Sequence, residues 1–315
     1  MTKKHLFEYS NDNKRYYTYS YYLKQTYQQK VFRIPLDAGF TCPNRDGHSA
    51  YGGCSFCSID GSGDSILGNN LEEQIENGFH TMRNKWPEGL ALAYFQAFTN
   101  TYAPLPVLKQ LYDPFITDNR FVGIVIATRA DCLDDDTIDY LSQLNQIKPV
   151  WIEIGLQSVH ETTTRYINRG HNTQIVNEVV HKLKEKNLLV CLHIINGLPY
   201  ETKEMMIETI KYCAQLKING IKIHMYHLIK NTLEAYRYSK KPYPILSRDE
   251  YVDIVVDQLG YLHKECVVMR LTGDGLMDNL IEPQWTTNKT IVLNEIDKKM
   301  KRENRIQGDR YEKHQ

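Results

Sequence analysis

The chain has 315 residues, of which 42% are hydrophobic, and its 38 lysines and arginines equal its 38 aspartates and glutamates. This length allows one large core or two modest ones, and the zero net charge excludes binding of a polyanion through overall charge, so any nucleic-acid surface must be a local patch. Because no apolar run approaches the ~20 residues that cross a bilayer, and the first residues lack the apolar stretch of a signal peptide, we expect a cytoplasmic protein without a membrane partner.

Residues 1–30 form a polar segment that is rich in tyrosine. Two interpretations of this segment are open. Aromatic side chains mixed with basic ones can stack on unpaired RNA bases and neutralise phosphates. Alternatively, the segment is a helix that packs these amphipathic rings against the rest of the chain. The tyrosines concerned are Tyr16, Tyr17, Tyr19, Tyr21 and Tyr22.

From residue 31 onward, short apolar runs alternate with amphipathic stretches. The runs predict strands over 31–36, 90–95, 122–128, 150–156, 188–195 and 221–227. The stretches between them predict helices over 71–86, 108–116, 135–147, 172–186 and 203–216, the first capped by Asn70. Six apolar strands separated by helices predict a parallel α/β domain over residues 31–230. In such a domain, functional groups gather where the strands end.

After residue 230 the alternation becomes less regular, and we predict a C-terminal extension over 231–315. It contains predicted helices over 247–263 and 287–302, a short strand over 267–271, and a polar tail from residue 303. The basic groups near the tail could contact phosphate, but a solvated and frayed terminus is the default interpretation. These groups are Lys298, Lys299, Lys301, Arg302, Arg305 and Arg310.

Three cysteines follow the first predicted strand: Cys42, Cys54 and Cys57, separated by eleven and two residues. The chain has seven cysteines, and an odd number without a secretory signal indicates reduced thiols. A closed structural metal site takes four protein ligands, whereas three thiolates on a four-iron cluster leave one iron open. Because His48 lies in the same loop, a binding module with a structural Cys3His zinc site is the alternative.

The Cys-x11-Cys-x2-Cys loop, with Phe56 before its last cysteine, resembles the cluster loop of radical S-adenosylmethionine (radical SAM) enzymes. Its long first interval, the segment Glu153-Ile-Gly-Leu-Gln-Ser158 and the later Gly197-Leu-Pro turn resemble the branch that contains the catalytic subunit of Elongator and oxygen-independent coproporphyrinogen oxidase. The resemblance implies an α/β fold, a partial (β/α)6 TIM-like barrel with a short C-terminal α/β extension. It also implies a [4Fe-4S] cluster on the three cysteines, and S-adenosylmethionine that is cleaved reductively to a 5′-deoxyadenosyl radical.

The same resemblance implies which side chains bind S-adenosylmethionine. Gln157 and Arg169, twelve residues apart, match positions that contact this cofactor in the coproporphyrinogen oxidase family, and an arginine fork suits a carboxylate. Glu153 would contact the ribose or amino group, although a structural ion pair is the alternative for it. The remaining implied contacts are His193, which is equally well explained as a core histidine, and Gln96 and Asn100 after the second strand. Cys132 is interpreted as a packing residue.

The resemblance to the Elongator subunit implies a substrate, and the radical SAM resemblance implies an external electron donor. The substrate would be tRNA, with the enzyme modifying the C5 substituent of the wobble uridine, and the donor would be a flavodoxin or a ferredoxin. The resemblance to coproporphyrinogen oxidase implies an alternative, the oxidation or methylation of a small, porphyrinogen-like molecule. The zinc-binding module remains the alternative without catalysis.

Overall fold

The computed structural model of the protein describes residues 7–58, 66–273 and 278–311. Its strands are β1 (Val31–Leu36), β2 (Leu90–Phe95), β3 (Phe121–Thr128), β4 (Val150–Gln157), β5 (Leu189–Asn196), β6 (Gly220–Met225), β7 (Leu228–Ile229), β8 (Val267–Arg270) and β9 (Leu280–Glu282). Its α-helices are α1 (Tyr19–Tyr27), α2 (Leu71–Arg83), α3 (Leu105–Thr117), α4 (Asp135–Asn145), α5 (Glu161–Tyr166), α6 (Thr173–Glu185), α7 (Lys203–Gln215), α8 (Leu233–Lys240), α9 (Arg248–Tyr261) and α10 (Lys289–Arg302). Within these ranges, no helix is both long enough and apolar enough to cross a membrane.

The predicted α/β class and the parallel strands are confirmed. Among the described residues, seven strands form one sheet in the order β1-β2-β3-β4-β5-β6-β8, and β7 pairs with β9 in a separate antiparallel ladder. We predicted six strands for the barrel and placed the next one in the C-terminal extension. Instead, β8 lies parallel to β6, with Gly220 opposite Val267. The sheet is therefore one strand wider than predicted, because the βα pattern continues through α9.

One compact unit comprises residues 23–155 and 169–191. Its strands β1 to β4 pair in parallel, and Ile34, Leu92 and Ile124 are fully buried in its core. Three of its helices begin at side-chain caps, in which Asn70, Asp134 and Asn172 accept a hydrogen bond from the backbone N–H three residues later. These caps explain why the predicted helix starts lie within one residue of the observed ones.

The other compact unit comprises the described residues up to Tyr22, residues 156–168 and the chain from Leu192 onward. In this unit α9 begins with a capping box, in which Ser247 and Glu250 exchange hydrogen bonds between side chain and backbone. The buried Tyr251 of α9 donates to the carbonyl of Leu271 at 2.9 Å. Two helices of this unit, α5 and α8, are absent from the sequence-based predictions because both are short and largely polar.

The N-terminal tyrosines favour the packing interpretation. Tyr16 and Tyr19 are only 4% and 7% exposed, and the ring of Tyr17 stacks on that of Tyr9 with centroids 4.6 Å apart. The backbone N–H of Tyr17 also donates to Gln307 Oε1 at 2.8 Å. The rings of Tyr16 and Tyr19 are too deeply buried to stack on RNA bases. The first six residues of this predicted segment lie outside the described residues.

The described part of the C-terminal tail is packed, so the expectation of a frayed terminus is wrong for residues 303–311. Arg305 contacts both Asp309 and Asp257, and Arg310 contacts Asp257 at 2.8 Å. Gln307 is fully buried and donates to the carbonyls of His263 and Cys266. Aspartates from the same unit therefore balance the positive charge that the sequence alone left available for phosphate. Residues 312–315 lie outside the described residues.

Tyr16→Ala is expected to lower the free energy of unfolding by roughly 3 kcal/mol, because it removes a buried aromatic ring and leaves a cavity. The measurement is urea-induced unfolding of the purified protein. Tyr236→Ala is the matched control, since Tyr236 is 62% exposed and its loss should change the free energy by about 0.5 kcal/mol or less. Equal losses in the two variants would contradict the packed N-terminal segment.

Candidate metal centre and cofactor site

The three cysteines lie in one loop whose course is set by backbone hydrogen bonds. The N–H of Arg45 donates to the carbonyl of Cys42 at 2.8 Å, and that of Cys57 donates to Cys54 at 3.0 Å. Gly47 has a φ of +92°, and a Cβ there would lie 2.4 Å from the ring of Tyr51. The loop between the first two cysteines therefore needs glycine at this turn. All three cysteines are free and partly exposed.

Hydrogen bonds and nearby cations prepare Cys54 to be a ligand. The pKa of the Cys54 thiol is lowered to about 7, chiefly by a hydrogen bond from Cys57, whereas burial by itself would raise this pKa. The charges of Arg129 and Arg169 and the Asn44 amide lower the pKa further. The Asn44 Nδ2 lies 3.6 Å from the Cys54 sulfur. The same hydrogen bond between the two thiols raises the pKa of the Cys57 thiol. Because the thiolate is the form that binds metals, Cys54 is the more readily available ligand of the two.

Arg129 is fixed beside the cysteine loop by three hydrogen bonds. Its Nε and Nη2 donate to the two carboxylate oxygens of Asp131 at 2.9 and 2.7 Å, and its Nη1 donates to the carbonyl of Arg169 at 2.7 Å. Arg129 follows the last residue of β3, where the sequence predicted functional groups. Burial raises the pKa of the Asp131 carboxyl. The hydrogen bonds and the charge of Arg129 lower it by more, so this pKa lies below its ordinary value.

The donor set fits an iron-sulfur cluster with three protein ligands. Burial, followed by the charge of Asp131, raises the pKa of the Cys132 thiol to about 12, so this fourth nearby cysteine stays protonated. The ring of His48 lies against that of Tyr102, with centroids 6.0 Å apart. Among the described residues, no three His, Cys, Asp or Glu side chains converge to hold one metal ion. Three thiolates from one loop are the protein ligands that a four-iron cluster with one open iron requires.

Four of the predicted cofactor residues lie in the same unit as the cysteines. Glu153 of β4 is 4% exposed, and Arg169 is 1% exposed, with Nε donating to the carbonyl of His171 and Nη2 to Thr173 Oγ1, each at 3.1 Å. Asn100 is fully buried. Its Nδ2 donates to two backbone carbonyls, while its Oδ1 has no partner among the described residues and can accept from a ligand. Gln96 directly follows β2 and is half-buried.

The two remaining predicted residues lie in the other unit. Gln157 is the last residue of β4 and has a φ of +57°, a left-handed conformation that is uncommon outside glycine. His193 of β5 lies beside His224 of β6, with ring centroids 4.1 Å apart. Burial, and then the nearby His193, hold the pKa of His224 well below its ordinary value. His224 is therefore neutral, and its Nε2 has no partner among the described residues.

The structure thus places Arg129 and Arg169 close enough to Cys54 for their charges to lower its pKa. Separately, it places His193 beside His224. The sequence-based reasoning missed Asn44 and Gly170. The position of Asn44 inside the cysteine loop was a usable signal, because an amide two residues from a ligand can reach a neighbouring sulfur. The residues next to Gly170 in the sequence give no signal that Gly170 faces the side-chain amide of Asn44.

Residues 42–213 match the radical SAM superfamily, and residues 218–302 match the Radical_SAM C-terminal domain. "Uncharacterized protein YtqA" of Bacillus subtilis is 47% identical over 98% of this chain and 96% of its own length. The "tRNA uridine(34) acetyltransferase" of Methanocaldococcus jannaschii is 23% identical over 44% of this chain, which corresponds to 26% of that relative. The first of these relatives is similar along the whole chain, and the second over less than half of it.

Two solved structures have a similar fold. Elp3 of the archaeon Methanocaldococcus infernus aligns with a TM-score of 0.68 at 15% identity, covering 89% of this chain and 64% of its own. Coproporphyrinogen III oxidase (HemN) of Escherichia coli aligns with a TM-score of 0.50 at 15% identity, covering 73% of this chain and 52% of its own. The fold is therefore that of a partial TIM-like barrel. Together with the cysteine loop, these matches show that the chain belongs to the radical SAM superfamily of enzymes, whose cofactors are a [4Fe-4S] cluster and S-adenosylmethionine.

Proposed function

We propose that this radical SAM enzyme modifies tRNA at the C5 substituent of the wobble uridine. The observation that carries the proposal is the similarity to the tRNA uridine(34) acetyltransferase, a protein named for its action on this nucleoside. The Elp3-like fold supports it. Because the match covers 26% of the acetyltransferase, acetyl transfer itself is not part of the proposal.

When bound, the cluster and S-adenosylmethionine would supply the radical chemistry of the reaction, which is hydrogen abstraction from a C–H bond of the substrate. Cys42, Cys54 and Cys57 would hold the cluster. The remaining contacts are proposed from the resemblance to the family, and the buried side chains of Glu153 and Arg169 support them. The proposed S-adenosylmethionine contacts are Glu153, Gln157, Arg169, His193, Gln96 and Asn100.

Arg169 is proposed to bind the carboxylate of S-adenosylmethionine. Its guanidinium has five N–H donors in a rigid fork. The bonds to the His171 carbonyl and to Thr173 Oγ1 fix the orientation of this fork in an interior position. A buried arginine that is held in one orientation loses little conformational entropy when a carboxylate binds.

Asn100 is proposed to accept a hydrogen bond from the amino group of S-adenosylmethionine. The two bonds that its Nδ2 donates to Ala97 and Ala127 fix the orientation of the amide, so that Oδ1 remains available as a buried acceptor. Leaving a buried acceptor without a partner costs free energy. Binding of a cationic amino group would remove that cost. We also propose that a flavodoxin or a ferredoxin delivers the electron, and that the reaction occurs in the cytoplasm.

The test of the function is mass spectrometry of tRNA nucleosides from cells with and without the protein. We expect loss of one modified wobble uridine, accumulation of a precursor that differs from it at C5, and restoration by the wild-type protein. Cys57→Ala should fail to restore the nucleoside, because it removes a cluster ligand. An unchanged nucleoside profile would reject tRNA as the substrate.

Formation of 5′-deoxyadenosine separates the remaining alternatives. Iron-loaded protein that cleaves S-adenosylmethionine while the tRNA profile stays unchanged would point to the small-molecule alternative, a porphyrinogen-like substrate. Protein that binds one zinc ion and never yields 5′-deoxyadenosine under dithionite would contradict the radical reaction altogether.

A further inference from the structure

Asn44 and Gly170 meet beside the cysteine loop at a distance that only glycine permits. A Cβ built on Gly170 would lie 2.2 Å from Asn44 Oδ1 and 3.3 Å from Arg129 Nη2. A contact of 2.2 Å is not compatible with a side chain, and Gly170 also has a φ of +84°. Gly170 therefore provides the space in which the fully buried Asn44 side chain lies.

In this position, the other end of the Asn44 amide faces a predicted cluster ligand. Its Nδ2 lies 3.6 Å from Cys54 Sγ, within hydrogen-bonding distance for sulfur. The backbone carbonyl of Asn44 accepts from the N–H of Gly53 at 2.7 Å, so the main chain is fixed on both sides of the contact. Arg129, held by Asp131 and by the carbonyl of Arg169, limits movement on the far side of Gly170.

We propose that Asn44, seated against Gly170, is a positioning residue that raises the reduction potential of the cluster by donating a hydrogen bond to the Cys54 thiolate. Reduction adds one negative charge to the cluster and its sulfurs. A fixed N–H donor stabilises the more negative, reduced form more than the oxidised form. The proposal rests on the cofactors of the superfamily and is independent of the proposed RNA substrate.

The consequence for the reaction concerns the electron that starts it. One electron passes from the external flavodoxin or ferredoxin to the cluster, so the donor is oxidised and the cluster is reduced. The fraction of reduced cluster falls when its potential becomes more negative at a fixed donor potential. Loss of the Asn44 hydrogen bond should therefore slow S-adenosylmethionine cleavage with a weak physiological donor more than with excess dithionite.

The experiment is a redox titration of the iron-loaded enzyme, followed by electron paramagnetic resonance. Asn44→Leu removes the donor, and Gly170→Ala displaces the amide, so each variant should have a more negative potential than the wild type. The double variant should shift no further than Asn44→Leu alone, because both changes remove the same contact. A potential of Asn44→Leu equal to that of the wild type would overturn the proposal.

Two controls separate this effect from general strain or poor loading. Gly308→Ala introduces comparable strain, since Gly308 has a φ of +81° and a Cβ there would lie 3.0 Å from the Leu262 carbonyl, and its potential should remain that of the wild type. The resonance signal arises only from cluster-containing protein, so partial loading of a variant does not hide its potential. If Gly170→Ala fails to load iron, Asn44→Asp provides the second variant, and an unshifted potential there would count equally against the proposal.

Discussion

Alanine in place of any one of Cys42, Cys54 or Cys57 is expected to reduce the iron content of anaerobically purified protein from roughly four atoms per chain to below one. Formation of 5′-deoxyadenosine should then be lost. The physical reason is that two thiolates cannot hold a four-iron cluster that already lacks a fourth protein ligand. Iron analysis, the visible absorption spectrum and chromatography of the cleavage product measure the three consequences.

Cys132→Ala is the matched control for this experiment. Cys132 also lies close enough to Cys42 for the two thiols to interact electrostatically. Its own thiol has a pKa of about 12, and its sulfur lies 3.9 Å from Asp131 Oδ1. Because a protonated thiol is a poor ligand, the variant should retain its iron and its activity. Loss of iron in Cys132→Ala would mean that four cysteines ligate the metal, which would leave no open iron.

Arg169→Lys is expected to weaken binding of S-adenosylmethionine by about 10-fold to 100-fold while the iron content remains unchanged. Lysine keeps the positive charge but loses the planar fork that binds a carboxylate through two parallel hydrogen bonds. Hydrogen bonds to charged groups contribute about 1.5–3 kcal/mol, and each 1.4 kcal/mol corresponds to roughly a factor of ten in affinity. Equilibrium dialysis of iron-loaded protein against labelled S-adenosylmethionine measures the change.

The control for Arg169→Lys is Arg120→Lys in the same compact unit. Arg120 donates to Asp118 Oδ2 through contacts of 2.9 and 2.8 Å, but unlike Arg169 it is exposed, and it lies before β3. Its replacement should leave cofactor affinity unchanged, because surface ion pairs contribute little. If Arg169→Lys binds the cofactor as tightly as Arg120→Lys does, Arg169 has a structural role in the loop and does not bind the carboxylate.

The regular elements of this chain are largely encoded by local signals. Asn70, Asp134 and Asn172 act as side-chain caps, so the helices that follow them begin where the sequence predicts. The strands Val31–Leu36 and Leu90–Phe95 have the predicted bounds, since each is a short, largely buried apolar run, and the two pair in parallel. Periodicity and capping depend on neighbouring residues alone, so both can be inferred without a structure.

Contacts between distant residues account for what the sequence-based predictions missed. The polar tail was expected to fray, yet Arg305 and Arg310 pair with Asp257, which lies more than 45 positions earlier in the chain. Tyrosine-rich composition alone left RNA stacking and packing both open for the N-terminal segment. The burial of Tyr16 favours packing, because only the fold places other residues over its ring.

By itself, the sequence predicted the ligands of the cluster, since the spacing of Cys42, Cys54 and Cys57 is a local property of one loop. It also determined the α/β alternation that places this loop after the first strand. Only the tertiary structure decided what surrounds the sulfurs. Gly170 is 126 positions from Asn44 in the sequence, and their contact exists because the fold brings two loops together. Distances of this kind depend on packing, which no pattern of neighbouring residues specifies.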